Sequence, residues 1–212
     1  SPVSLIVSAA APVRDVRLSL TPELNTKVPS VLIAIDLGHG QSRMAGSILS
    51  QVTQQFGSQT PDLDHPEQLQ SFVKLVRKLT LAGCVLAYHD RSDGGLLTTV
   101  AEMMFAGHCG ARIDLTSMAQ SAQVEDVVPV LFNEELGAVL QVRADRIEEI
   151  HAAVKEAGLA DCTHFIGEVT ADERLHIEAH GSKLYEASRG DLQKAWTEVS
   201  WHCLLYTSDA AD

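Results

Sequence analysis

Basic residues are scarce in this sequence: 16 Lys and Arg stand against 28 Asp and Glu among 212 residues, a formal charge of −12. A protein that grips nucleic acid non-specifically displaces counterions with an excess of Lys and Arg, so this balance excludes that partner. A polybasic membrane anchor is excluded for the same reason. Long apolar runs are missing too. The longest is six residues, Val127 to Phe132, and it contains Pro129. A bilayer-spanning helix needs ~20, so no transmembrane helix is expected. The start, Ser1-Pro2-Val3-Ser4, lacks a Met, a basic n-region and a long apolar h-region. It is not a signal peptide, and it reads as a chain entered in mid-protein. With 14 Gly and 7 Pro, collagen and low-complexity disorder are excluded. The four cysteines, Cys84, Cys109, Cys162 and Cys203, form no short-spaced framework. Buried reduced thiols in a cytoplasmic protein are expected.

What is present is an alternation of periods. Ser4 to Ala10 and Val31 to Ile35 are short apolar, β-branched runs suited to buried strands. Between Gly40 and Phe56, the residues Met44, Ile48, Val52 and Phe56 recur every four positions and predict an amphipathic helix. A second helix is predicted over Pro66 to Ala82, with Leu69, Phe72, Val73, Val76 and Leu79 on one face. Val85 to Tyr88 reads as a buried strand, followed by a polar turn and a helix from Leu96 to Phe105 that Gly107 can stop in a left-handed cap. Strands are predicted at Ala111 to Leu115 and Ala138 to Val142, and a helix over Asp145 to Ala157, ending at Gly158. Thr163 to Val169, Leu175 to Glu178 and a hairpin mate at Lys183 to Tyr185 complete the core. Together these predict an α+β fold: a layered α/β domain with a mixed sheet and three to four helices.

The last ten residues, Cys203 to Asp212, break with what precedes them and resemble a translated sequencing adapter. They are expected to be non-native, disordered and dispensable. The organisation predicted is one domain over 1–187, the start of a linker over 188–202, and this tail.

The segment richest in chemistry is Tyr88-His89-Asp90-Arg91-Ser92-Asp93-Gly94-Gly95-Leu96. A buried strand delivers an acidic turn onto a helix start. Ser92 or Asp93 is a good N-cap, because its side-chain oxygen can take a free amide of the first turn. Two glycines let backbone amides approach a ligand, and a helix N-terminus favours an anion. Asp90 stands where a carboxylate could hold a Mg²⁺ that neutralises phosphates. On spacing alone, the same residues also make an ordinary Asp/Ser-capped helix after a tight turn, which is the commoner use of such a pattern.

Leu86–Leu97 (LAYHDRSDGGLL), with Ala101–Gly110 (AEMMFAGHCG) and Leu131–Val139 (LFNEELGAV), closely resembles the large single-chain phosphoribosylformylglycinamidine synthases of purine biosynthesis. The opening SPVSLIVSA and Gly158–Cys162 (GLADC) are similar to the same family, and the likeness runs to about Trp201. The resemblance implies a fragment, covering the C-terminal half of the second of two aminoimidazole-ribonucleotide-synthetase-like units. It implies an enzyme that uses ATP, Mg²⁺ and glutamine to turn the formylglycinamide ribonucleotide amide into an amidine, in the cytoplasm. Matched to the family's motif, Asp90 is a Mg²⁺ ligand and Ser92 a nucleotide contact; neither is a catalytic acid, base or nucleophile. The glutaminase nucleophile belongs to a domain not included in this stretch, so none of the four cysteines inherits that role. The implied partners are ATP, or ADP at an auxiliary site, and the remaining domains of the same polypeptide. The nucleotide could instead be purely structural here, or the chain could belong to a superfamily relative such as selenophosphate synthetase or thiamine-monophosphate kinase.

Other segments carry less. His108-Cys109 and Cys162-Thr163-His164 lack the spacing of a zinc site and read as core or loop residues. Gly38-His39-Gly40 is a strand-to-helix turn that could face a phosphate. Asn133-Glu134-Glu135 reads as a solvated turn, and Glu148-Glu149 as an exposed helix face.

Overall fold

The computed structural model describes residues 7–13 and 15–209, with side chains described as far as Cys203. Seven strands form one sheet: β1 (Ser30–Asp36), β2 (Val85–Asp90), β3 (Gly110–Asp114), β4 (Gly137–Arg143), β5 (Thr163–Thr170), β6 (Arg174–Ala179) and β7 (Ser182–Ser188). Their order is β2-β4-β1-β5-β3-β6-β7. All neighbours are antiparallel except β3 and β6, so the sheet is mixed as expected. β1 is buried on both faces, in keeping with its unbroken apolar run. Leu32 and Ala34 enter one core, and Ile33, Ile35 and Leu37 the other.

Helices cover both faces. Over the second core lie α2 (Pro66–Leu81) and α6 (Ile147–Glu156). Pro66 opens α2 at a position where its missing amide hydrogen is not needed. Phe72, Leu75 and Leu79 form the buried face of α2; Val73, expected there, is exposed and Leu75 takes its place. The first core is covered by α3 (Gly95–Gly107), α4 (Thr116–Ala122) and α5 (Val128–Phe132). Gly107 is the last helical residue of α3, and His108, not Gly107, takes the left-handed position (φ 49°). What Gly107 provides is proximity: a Cβ there would meet Leu24 at 2.8 Å.

Further expectations differ from the fold. Between Gly40 and Phe56 only α1 (Ile48–Val52) is helical, capped by Ser47, whose Oγ accepts from Ser50 N at 3.2 Å. Positive φ at Gly40, Ser42 and Gly46 breaks the helical path before it. Ile48, Val52 and Phe56 are exposed, so their fourfold spacing marks no core face. The expected strand at Ser4–Ala10 is absent over residues 7–10, which are irregular and exposed; residues 4–6 lie outside the described residues. Residues 188–202, expected to start a linker, are helical except for Ser188. They begin with the end of β7 and enter α7 (Arg189–Asp209).

A Ser188–Asp191 pair starts α7: Ser188 Oγ accepts from Asp191 N at 3.0 Å and donates to Asp191 Oδ2 at 2.6 Å. Arg189 pairs with Glu173 at 2.8 Å, Leu192 packs on the first core, and the Trp196 ring stands edge-on to Phe105 at 5.9 Å. The tail expected to be disordered continues this helix through Asp209, while residues 210–212 lie outside the described residues. Cys84, Cys109 and Cys162 are buried as expected, and burial pushes the thiols of Cys109 and Cys162 up to about 11. Cys203 is exposed on α7, contrary to expectation. Among the described residues no helix is long and apolar enough to cross a membrane.

Candidate functional site

Strands β1 and β2 both run antiparallel to β4, so their C-terminal ends lie at the same end of the sheet. There Asp36 pairs with Gly137, and Asp90 with Ala138. The turn after β2 is fixed by the residue between the two candidates. Arg91 points inward. Its Nη2 donates to Asp36 Oδ1 at 2.6 Å and to the Leu136 carbonyl at 3.2 Å, and its Nε donates to the Glu135 carbonyl at 2.7 Å. Its backbone amide donates to Gly137 O at 2.9 Å. Both charges are buried, with side-chain exposures of 3% and 7% for Arg91 and Asp36. Burial alone would raise the Asp36 carboxyl. The charge and hydrogen bond of Arg91, with the amides of Gly40 and Gly38, hold it below its ordinary value instead.

The flanking residues turn the other way. Asp90 has its side chain 69% exposed and has no Lys or Arg partner among the described residues; His89 Nδ1 lies 3.6 Å from its Oδ1. Ser92 is half-buried, and its carbonyl accepts from Gly95 N at 3.0 Å. Neither Ser92 nor Asp93 caps α3: Gly94 is the N-cap, in a left-handed conformation (φ 83°), with no side-chain cap of its own. The amide of Gly94 donates to Glu134 Oε1 at 2.9 Å. The two glycine amides are therefore engaged within the chain rather than held open toward a ligand. Gly95 is required by φ 69° and by the backbone of residues 131–133, since a Cβ there would meet Leu131 O and Asn133 O at 2.7 Å.

Asn133-Glu134-Glu135 is not a solvated turn. Asn133 and Glu135 are buried, at 2% and 0% exposure. Glu135 holds Arg43 in a two-pronged pair, Nε to Oε1 at 2.6 Å and Nη2 to Oε2 at 2.8 Å, and also accepts from Arg43 N at 3.1 Å. That hydrogen bonding raises the Arg43 guanidinium above its ordinary value. Arg43 also reaches Asp64 at 2.9 Å. Glu134 Oε1 accepts from two helix starts, Gly94 N at 2.9 Å and Ile48 N at 2.8 Å. The turn at Gly38-His39-Gly40 folds inward on Asp36, which accepts from Gly38 N at 3.2 Å and Gly40 N at 2.8 Å. Its amides serve their own strand end.

Asp36, Arg43, Glu134 and Glu135 were not singled out as an interacting set by the sequence. Their partners lie 55 to 92 positions away in the cases of Arg91–Asp36 and Arg43–Glu135, and no local spacing announces such pairs. No group of three or more His, Cys, Asp and Glu able to hold a metal occurs among the described residues, and neither His108-Cys109 nor Cys162-Thr163-His164 forms one.

Residues 30–180 match the family described as AIR synthase related protein, C-terminal domain, and the chain belongs to that family. Its fold is similar to Thermotoga maritima PurL, a phosphoribosylformylglycinamidine synthase II. Against that protein complexed with ATP, the identity is 11% and the TM-score 0.62, over 82% of this chain and 27% of the other. Against the complex with FGAR, the values are 12% and 0.62, over 84% and 30%. E. coli HypE, a hydrogenase maturation protein, is similar at 20% identity and a TM-score of 0.54, over 78% of this chain and 51% of that one. This chain spans less than a third of the PurL chains.

Proposed function

We propose that this chain is part of an ATP- and glutamine-dependent ligase that converts formylglycinamide ribonucleotide to formylglycinamidine ribonucleotide, and that it contributes a Mg²⁺–nucleotide site at Asp90 and Ser92. The observation that carries the reading is the turn itself. Arg91 is anchored at that end of the sheet, while the two residues on either side are left free of that anchor, one exposed and one half-buried. The likeness of LAYHDRSDGGLL to the synthase motif supports it, as does the fold shared with a PurL that was complexed with ATP.

The donor set suits Mg²⁺, a hard cation commonly held by one or two carboxylates together with phosphate oxygens and water. Asp90 offers one carboxylate with no Lys or Arg partner among the described residues, whereas Asp36 and Glu135 are already committed to Arg91 and Arg43. When bound, the ion would neutralise phosphate charge, which is what phosphoryl transfer needs from its surroundings. Arg91 would keep the spacing of Asp90 and Ser92 fixed, so that a nucleotide meets them without rearrangement of the turn. The remaining domains of the polypeptide are the partners that would complete the pocket.

The test is Asp90→Asn in the intact protein. It keeps the side chain's shape and removes the charge a hard cation needs. A structural nucleotide at ~1,000 times its Kd stabilises the fold by about 4 kcal/mol, so its loss is visible in a melt. A catalytic nucleotide gives depressed turnover with the melt nearly unmoved. Unchanged nucleotide retention, melting temperature and turnover would refute the metal assignment and leave the turn as a helix start only.

A further inference from the structure

Helix α7 lies outside the residues that carry the family match, yet one of its side chains reaches toward the turn that bears Asp90. Trp196 Nε1 donates to Glu102 Oε1 at 2.8 Å. The other oxygen of that carboxylate, Oε2, is 2.8 Å from His89 Nε2. His89 Nδ1 in turn donates to the carbonyl oxygen of Asp90 at 2.7 Å. Four groups on α7, α3 and β2 thus stand in one line of hydrogen bonds that ends at the candidate metal ligand. The middle of the line is shielded: the His89 and Glu102 side chains are 16% and 25% exposed. The Trp196 ring is steadied by Phe105, one turn along α3 from Glu102.

We propose that α7 sets the divalent-cation affinity of Asp90 through Trp196, Glu102 and His89, three positioning residues that touch neither metal nor nucleotide. The inference rests on the Mg²⁺ reading of Asp90 given above. Its physical basis is that a metal ligand is only as well placed as the groups that orient it, and loss of such a partner typically lowers metal affinity about 10–100-fold. His89 fixes the peptide of Asp90, Glu102 fixes the His89 ring, and Trp196 occupies the second oxygen of Glu102, which would otherwise be free to turn toward water. A segment joined to α7 that shifts the helix would then be felt at Asp90.

The experiment uses the intact protein with ADP at fixed concentration and Mn²⁺ as the probe, its bound fraction read by electron paramagnetic resonance. Trp196→Phe keeps an aromatic ring against Phe105 and removes the indole N–H together with the second ring of the indole. Glu102→Gln keeps the shape of the middle group. Asp90→Asn reports on the ligand itself. The expected results are loss of the bound ion in Asp90→Asn, about tenfold weaker binding in Glu102→Gln and about threefold to tenfold weaker binding in Trp196→Phe. The metal-free melting temperature of Trp196→Phe should stay at the wild-type value, since this residue is 57% exposed. Wild-type Mn²⁺ affinity in Trp196→Phe overturns the coupling even where Asp90→Asn has lost the ion. Weaker binding that appears only together with a lowered metal-free melt is a structural effect and overturns it as well. Retention of the ion by Asp90→Asn overturns the Mg²⁺ reading, and the coupling falls with it.

Discussion

Asp36→Asn is the sharpest probe of how the turn is held. In the wild-type protein the Arg91 guanidinium is 3% exposed and donates to three oxygens, of which only Asp36 Oδ1 carries charge. The substitution keeps the volume and one oxygen but leaves a buried cation facing neutral groups. Removing one partner of a buried pair costs about 3–5 kcal/mol, because the remaining charge has lost its compensation. Against a total of about 5–15 kcal/mol for a typical domain, that is a large share. Replacing both partners by apolar groups, Asp36→Leu with Arg91→Met, should be much less damaging than the sum of the single changes, since no lone charge is then buried. Urea unfolding of all variants, compared at equal m-values, reads the difference.

The same pair makes a prediction about acid. The folded-state carboxyl of Asp36 is held below its usual value of 3.8. A depressed carboxyl contributes stability that is present above the unfolded value and is lost as pH falls through the folded one. Wild-type stability should therefore fall more steeply below about pH 4 than that of Asp36→Asn, which has no proton to take up there. A loss of less than about 1 kcal/mol at neutral pH, or parallel acid limbs for the two proteins, would refute the account of a buried, compensated charge.

Two further expectations follow from other residues. His164 is 8% exposed, its Nε2 has no hydrogen-bond partner among the described residues, and burial holds its imidazole below the ordinary 6.5. His164→Leu should be neutral or stabilising at pH 7.5. Its advantage should grow as pH falls below about 6.5, where the unfolded wild-type histidine takes up a proton that the folded one resists; an unfolding free energy lowered by more than about 2 kcal/mol, or no change with pH, would contradict this. The isolated 212-residue chain should form no amidine when given ATP, Mg²⁺, ammonia and formylglycinamide ribonucleotide, because it spans less than a third of the PurL chains it is similar to. Product in a discontinuous assay would show that the rest of the polypeptide is not needed.

Much of the sheet was legible because its strands are local. Val31 to Ile35 is an apolar run, Ala138 to Val142 is apolar but for Gln141, and Val85 to Tyr88 is apolar with alternate residues buried; patterns of this kind need no knowledge of partners. Helices with a full apolar face, α2 and α6, were legible for the same reason. The failures have specific causes. Met44, Ile48, Val52 and Phe56 imitate a helical stripe, but the positive φ of Ser42 and Gly46 and the tie from Arg43 to Glu135 leave only Ile48–Val52 helical. Helices α4 and α5, of 7 and 5 residues, are too short to show a period. The start of α7 carried a signal in Ser188-Arg189-Gly190-Asp191, overshadowed by the change of composition at Cys203.

The candidate site shows the same division between local and distant information, and it sorts the acids. Four carboxylates, Asp36, Asp90, Glu134 and Glu135, come from three segments of the chain to the place where β1 and β2 end. Unpaired, four such charges would repel one another and depress the stability of the turn. Three are consumed internally: Asp36 by Arg91 and two amides, Glu135 by Arg43, and Glu134 by the amides that begin α1 and α3. Of these four, Asp90 is the one left facing solvent without a Lys or Arg partner among the described residues; Asp93, in the same turn, is likewise exposed. The residue that a short motif could single out is therefore the one whose environment is local. The residues that make it the odd one out are fixed by contacts across 40 to 92 positions. On the proposed reading, this sorting leaves a carboxylate to receive Mg²⁺: Asp36 and Glu135 are paired with Arg91 and Arg43, and Glu134 is held by two backbone amides, so these neighbours are already engaged.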